Sequence, residues 1–123
     1  MPIHYLVDGD LNIVFSTWSM EITAKTAASY YKQLLQDETA MNCGRSLADL
    51  RQADMKLTGA EFNEVIAKVV VPNLGSRTWR SAILVQKPDQ FGVARQYDVF
   101  ASGYSSNSIF YDYGEALEWL LKA

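Results

Sequence analysis

The stretch Arg45-Ser46-Leu47-Ala48-Asp49-Leu50-Arg51-Gln52-Ala53-Asp54-Met55-Lys56-Leu57-Thr58-Gly59-Ala60-Glu61 decides the fold of this chain. It reads as a short strand, a loop, and a helix that opens on a capping box. Thr58 is placed to accept from the Glu61 backbone N–H while the Glu61 carboxylate reaches back to the Thr58 N–H, so two orphan donors of the first turn are satisfied together. A junction of this kind lies at the C-terminal end of a strand, where open α/β sheets gather ligands and switches.

Upstream, Ile3 to Val7 and Leu11 to Trp18 are apolar and β-branched runs separated by Asp8-Gly9-Asp10. That is a hairpin signal, with Gly9 expected to supply the positive φ of the turn. Thr23 is set to cap a first helix whose apolar positions Ala27, Tyr31, Leu34 and Leu35 recur at helical spacing to about Asp37. Asn42-Cys43-Gly44 then leads into the deciding strand.

Downstream, Phe62, Val65, Ile66, Val69 and Val70 form a helical stripe that Pro72 is expected to close, followed by the loop Asn73-Leu74-Gly75-Ser76. Ala82-Ile83-Leu84-Val85 is the continuous apolar run of a central strand covered on both faces. Pro88 suits the first turn of a third helix, with Val93, Ala94, Tyr97, Phe100 and Ala101 on its buried side. Ser105 to Ser108 reads as a polar loop and Ile109-Phe110-Tyr111 as a last short strand. Asp112 and Glu115 repeat the capping spacing ahead of a terminal helix carrying Ala116, Leu117, Leu120 and Leu121.

The order is ββαβαβαβα. It predicts an α/β fold, a single domain over 1–123, with a mixed, mostly parallel five-stranded sheet and helices packed on it. A chain of 123 residues with 49% hydrophobic and 20% charged residues can bury an adequate core. The net charge of −3 lacks the basic face that nucleic acid requires. Cys43 is the only cysteine, which excludes an intrachain disulfide and any site needing two thiolates. No apolar run approaches the length of a membrane span, and Met1 to Tyr5 is no signal peptide, so the expected setting is the cytoplasm.

No stretch carries a catalytic or cofactor motif. His4, the only histidine, falls in the first strand away from any clear partner, where an exposed edge residue is the expected role. There is no Gly-rich phosphate loop and no ligand cluster, so neither cofactor nor metal is expected. The candidate switch or ligand junction consists of Asp49, Arg51, Asp54, Thr58, Gly59 and Glu61. Thr58 is read either as a capping threonine or as a phosphoacceptor at a helix start. Asp49, Arg51 and Asp54 are read either as a solvated loop or ion pair or as a site for a polar ligand head group or a metal, although a metal site would usually recruit histidine or a third carboxylate and none is evident.

Trp18 with Ile22-Thr23, Leu47-Ala48-Asp49-Leu50-Arg51, Arg80-Ser81-Ala82-Ile83-Leu84-Val85, Phe91-Gly92-Val93-Ala94-Arg95 and Glu115-Ala116-Leu117-Glu118-Trp119-Leu120 occur in an order that resembles the STAS fold of anti-sigma-factor antagonists. The closer likeness is to SpoIIAA-like bacterial proteins, related in fold to the Sec14 (CRAL-TRIO) lipid-binding domains. Two departures stand out. The Asp-Ser-Ser-Gly type phosphorylation sequence is replaced by Lys56-Leu57-Thr58-Gly59, and Met20 stands near Trp18 where many relatives have glycine.

The resemblance implies a non-catalytic regulatory module that binds a protein partner through 49–61. The alternative is a carrier or sensor of a small hydrophobic, lipid-like ligand. Its apolar pocket would be lined by Phe62, Ile66, Phe91, Tyr97, Phe100 and Tyr104. A filled core with a homodimer patch is the other use of so many aromatic residues.

Overall fold

A computed structural model describes residues 2–74, 78–102 and 105–122. Five strands form one sheet in the order β1-β2-β3-β4-β5. They are β1 (Ile3–Asp8), β2 (Ile13–Ile22), β3 (Arg45–Met55), β4 (Trp79–Leu84) and β5 (Ser105–Phe110). Only β1 and β2 are antiparallel; β2 to β5 run parallel. The helices are α1 (Ala24–Leu35), α2 (Glu38–Met41), α3 (Gly59–Val65), α4 (Val71–Leu74), α5 (Pro88–Ala101) and α6 (Tyr113–Leu121).

The strand order dictates where the helices go. Parallel neighbours added always in the same direction, through right-handed crossovers, put every crossover helix on one face of the sheet. One buried cluster accordingly joins α1, α3 and α5 to that face through Trp18, Tyr30, Leu50, Phe62, Ile83 and Val93. The other face is covered by α6, whose Ala116 and Leu120 pack on Ile13, Leu47, Ala82 and Leu84. Two sheet arginines hold the end of α6: Arg45 Nη1 donates to Leu120 O at 2.9 Å and Arg80 Nη2 to Trp119 O at 2.8 Å. Cations at a helix C-terminus satisfy orphan carbonyls and oppose the macrodipole.

Several sequence expectations change in detail. In the hairpin the residue with positive φ is Asn12 (56°) rather than Gly9, because Asp8 Oδ1 accepts from the N–H groups of Asp10 and Leu11 and closes the turn itself. Pro72 does not close the third helical segment. Residues Ile66–Val70 form a π-helical turn, in which the Val71 N–H donates to Ile66 O, and α4 continues through Pro72. The widened turn shifts the hydrogen-bond register just where proline has no N–H to give. Ser105 to Ser108 is strand rather than loop: β5 pairs with β4 from Ser105 opposite Trp79, and edge pairing tolerates polar side chains.

The deciding strand is longer than expected and carries a bulge. Thr17 pairs with Asp49 but Ser19 with Gln52, so Leu50 and Arg51 together oppose Trp18. The extra residue flips the alternation. Ala48 and Leu50 face the crossover helices before it; Ala53 and Met55 do so after it. β4 pairs only with Arg45 to Asp49, which leaves the far half of β3 without a neighbour on that side. Gln90 of α5 takes the missing place. Its Nε2 donates to Ala53 O at 2.8 Å and Arg51 O at 3.3 Å, while its Oε1 accepts from the N–H groups of Gln86 and Lys87.

Candidate functional site

The predicted junction is present, but its groups are divided between places. Asp49 and Arg51 form a local pair: Oδ1 accepts from Arg51 N and Nε, each at 3.1 Å, and Oδ2 from Nη2 at 3.0 Å. These bonds stabilise the charged guanidinium and raise its pKa. Asp54 pairs instead with Lys56 at 3.3 Å, and both are well exposed. The capping box is as the spacing predicts, with Glu61 N to Thr58 Oγ1 at 3.1 Å and Thr58 N to Glu61 Oε1 at 2.9 Å.

Gly59 has a packing role. A Cβ there would stand 2.8 Å from Gln96 Cβ and collide with the end of that side chain, so the glycine lets α3 and α5 approach. Among the described residues, no group of three or more His, Cys, Asp or Glu side chains is placed to hold a metal. His4 is exposed on the edge strand, and Cys43 is half-buried with its thiol donating to Thr39 O at 3.4 Å. Burial raises the Cys43 pKa, away from a reactive thiolate.

The concave feature lies instead between the sheet and its crossover helices. A ladder of aromatic rings crosses that layer, in which Trp18 meets Tyr30 at 5.5 Å and Phe62 at 6.3 Å, and Phe62 meets Tyr97 at 5.5 Å, all edge-on or tilted. Such tilted contacts suit the ring quadrupoles but leave gaps that flat stacking would close. A cavity of about 90 Å³ remains beside the ladder. Its wall includes Trp18, Tyr31, Leu50, Phe62, Ile66 and Tyr97, and no charged residue lines it among those described.

Of the expected pocket residues, Phe62, Ile66 and Tyr97 line this cavity. Phe91 does not; it stacks on Tyr111 with ring centroids 6.1 Å apart. Phe100 also points elsewhere and is 38% exposed, because the helical stripe of α5 turns away from the sheet near its C-terminus. Tyr104 lies outside the described residues. Trp18, Met55 and Trp79 also line the cavity, each from a strand, and reading helices alone misses them.

Burial governs the tyrosines here. Tyr30 is pushed up to about 12 by desolvation, and desolvation raises Tyr31 well above the ordinary phenol value. Both stay neutral, so the aromatic wall carries no charge across the physiological range.

Four serines interrupt the apolar lining: Ser16, whose Oγ accepts from Trp18 Nε1 at 3.0 Å, Ser105, whose Oγ donates to Ala101 O at 3.3 Å, and a pair that stands in one row. Ser46 of β3 pairs in register with Ser81 of β4, and their hydroxyl oxygens are 3.2 Å apart. Trp79 Nε1 donates to Ser46 Oγ at 3.0 Å. A signal for this row stands in the sequence, as a serine at one alternate position in each of two apolar strands, but it shows only when the strands are placed side by side.

A sheet with one antiparallel hairpin, parallel strands added in one direction and crossover helices on a single face is the SpoIIAA-like arrangement, and the chain has this fold. A solved structure that shares it is that of an uncharacterized protein of the DUF3478 family with a SpoIIAA-like fold from Shewanella loihica PV-4. The two are 20% identical with a TM-score of 0.63, over 96% of this chain and 93% of that one. No family model matches the chain, and no curated protein matches it. No helix among the described residues is long and apolar enough to cross a membrane.

Proposed function

We propose that this SpoIIAA-like module is a non-catalytic binding protein for a small apolar ligand, held between the sheet and its crossover helices. The observation that carries the reading is the uncharged, aromatic-walled cavity of about 90 Å³. Well-packed interiors contain few voids larger than a water molecule, and a dry apolar void forfeits dispersion contacts that a ligand restores. The space is several times the roughly 15 Å³ that one water needs. A reduced, cytoplasmic setting belongs to the same reading, since the single half-buried thiol has no disulfide to form within the chain.

A second reading keeps the module but uses the surface at 49–61 to dock a protein partner. It is favoured by the exposure of Asp54, Thr58 and Glu61 along one end of the molecule. Against it stands the pairing of the same groups among themselves, which docking has to displace.

A native mass spectrum of the purified protein, compared with the same sample denatured, separates the two. A mass excess that disappears on denaturation supports the ligand reading. If native and denatured masses agree, and saturating cyclohexane or cyclohexanone leaves the Trp18 and Trp79 indole N–H resonances unmoved, the ligand reading fails.

A further inference from the structure

We infer that the ligand of this cavity is an uncharged molecule bearing one hydrogen-bond-accepting oxygen, such as a ketone, aldehyde, ester or ether, and that the Ser46–Ser81 pair receives that oxygen. The inference rests on the ligand reading above and adds a polarity to it.

Protons outnumber acceptors in this row. Trp79 Nε1–H, Ser46 O–H and Ser81 O–H are three donors in one short chain. Ser46 Oγ accepts from the indole, and a single further bond joins the two hydroxyls, whichever of them donates. Two donors are thereby used and one hydroxyl proton is left over, with no acceptor among the described residues. Both serines line the cavity; Ser81 is buried, 7% exposed, and Ser46 is half-buried. A buried donor without a partner carries a desolvation penalty that an incoming acceptor removes.

The same surroundings define the acceptor's charge. The two arginines adjacent in sequence, Arg45 and Arg80, turn to the opposite face, where they bind the end of α6. A carboxylate or phosphate brought to the seam would enter an apolar site that no cation lines among the described residues, and burying an unpaired charge is strongly unfavourable. A neutral oxygen gains the hydrogen bond without that penalty.

The tryptophans supply a built-in assay. Trp18 and Trp79 line the cavity, whereas Trp119 lies on the other face under Arg80. We would titrate the protein with cyclohexanone, cyclohexane and cyclohexanecarboxylate and follow the three indole N–H resonances. Cyclohexanone is expected to shift Trp79 and Trp18 saturably, leave Trp119 in place, and bind roughly five- to tenfold more tightly than cyclohexane, the worth of one neutral hydrogen bond. Cyclohexanecarboxylate is expected not to bind. Ser81→Ala alone passes the free proton to Ser46 and should keep the preference, whereas Ser46→Ala, Ser81→Ala and Trp79→Phe together remove all three donors and should erase it while cyclohexane still shifts Trp18.

Equal binding of ketone and hydrocarbon to the wild-type protein overturns the seam proposal and leaves the cavity reading standing. Tighter binding of the carboxylate overturns the claim that the ligand is uncharged. Binding of none of the three defeats the underlying ligand reading instead. The wild-type comparison decides the matter even if the triple variant does not fold.

Discussion

Met20 shows how much a single residue can report. It occupies φ 60° within β2, in the left-handed region that side chains other than glycine, asparagine and aspartate rarely enter. The resemblance leads one to expect a glycine near Trp18, and the backbone at Met20 adopts the conformation that glycine favours. Holding a methionine there costs about 1 kcal/mol or more. Met20→Gly is therefore expected to raise stability by up to about 1 kcal/mol, the unfolded-state entropy of glycine offsetting part of the relief. Equilibrium denaturation of the two proteins tests this; an equal or lower midpoint with an unchanged slope contradicts it.

Asp37 gives the residue-scale prediction for pH. The Tyr5 hydroxyl donates to its Oδ2 at 2.7 Å, and this bond, with a further one from the Ala40 N–H, lowers the carboxyl pKa. A folded-state value below the unfolded one means stability that is present above the unfolded pKa and lost as pH falls through the folded value. Tyr5→Phe should reduce stability at neutral pH and flatten its acid dependence below about pH 4. Tyr5 itself is pushed up to about 12, chiefly by burial and then by this same bond, so its contribution is lost only as pH rises from about 10 through 12. If the wild type and Tyr5→Phe lose stability in parallel on acidification, the linkage is absent.

At the scale of elements, the junction of β3 and α3 is held by packing more than by its capping box. Thr58→Ala removes one side-chain cap on an exposed turn and should cost about 1 kcal/mol. Gly59→Ala drives a methyl group into Gln96 and should cost more, about 2 to 3 kcal/mol, through separation of α3 from α5. Gly59→Ala combined with Gln96→Ala should recover only part of the loss, since the clash with Gln96 Cβ remains. Denaturation midpoints that rank the two single variants the other way would return the glycine to a purely conformational role.

Gln90 is the second element-scale device. It completes the hydrogen bonding of β3 where β4 has ended, and it is fully buried. Gln90→Leu conserves volume but leaves two backbone N–H groups and two carbonyls without this partner. A loss of about 2 to 4 kcal/mol is expected, along with faster amide exchange at Gln86 and Lys87. Exchange at those two amides as slow as in the wild type would show that the side chain is dispensable.

At the scale of the whole molecule, one strand order produces both the layers and the cavity. Strands added in a single direction place α1, α3 and α5 side by side over one face, and helices that cross a twisted sheet cannot fill every gap beneath them. The cavity can be closed without touching its polar row. Ala48 lies on its floor in β3, and Ala48→Leu should occupy most of the space, hold or raise stability by about 1 kcal/mol, and abolish cyclohexanone binding. A variant that folds and still binds the ketone would place the ligand elsewhere.

Local chemistry made much of this protein legible from its sequence. The spacing Thr58 to Glu61, the helical stripes around Leu34 and Phe62, the buried run Ala82 to Val85 and the cap at Asp112 each arise from residues near one another in the chain, so they appear in order without the fold. Other features depend on which residues come to lie side by side. The bulge opposite Trp18 needs the pairing of β2 with β3, and the role of Gln90 needs β4 to stop short of β3. The passage of α4 through Pro72 needs the π turn before it, and the hydroxyl pair Ser46–Ser81 needs two strands in register. Periodicity reports which face of an element is apolar, but only tertiary contact decides what that face meets, and the cavity and its unpaired proton are properties of that meeting.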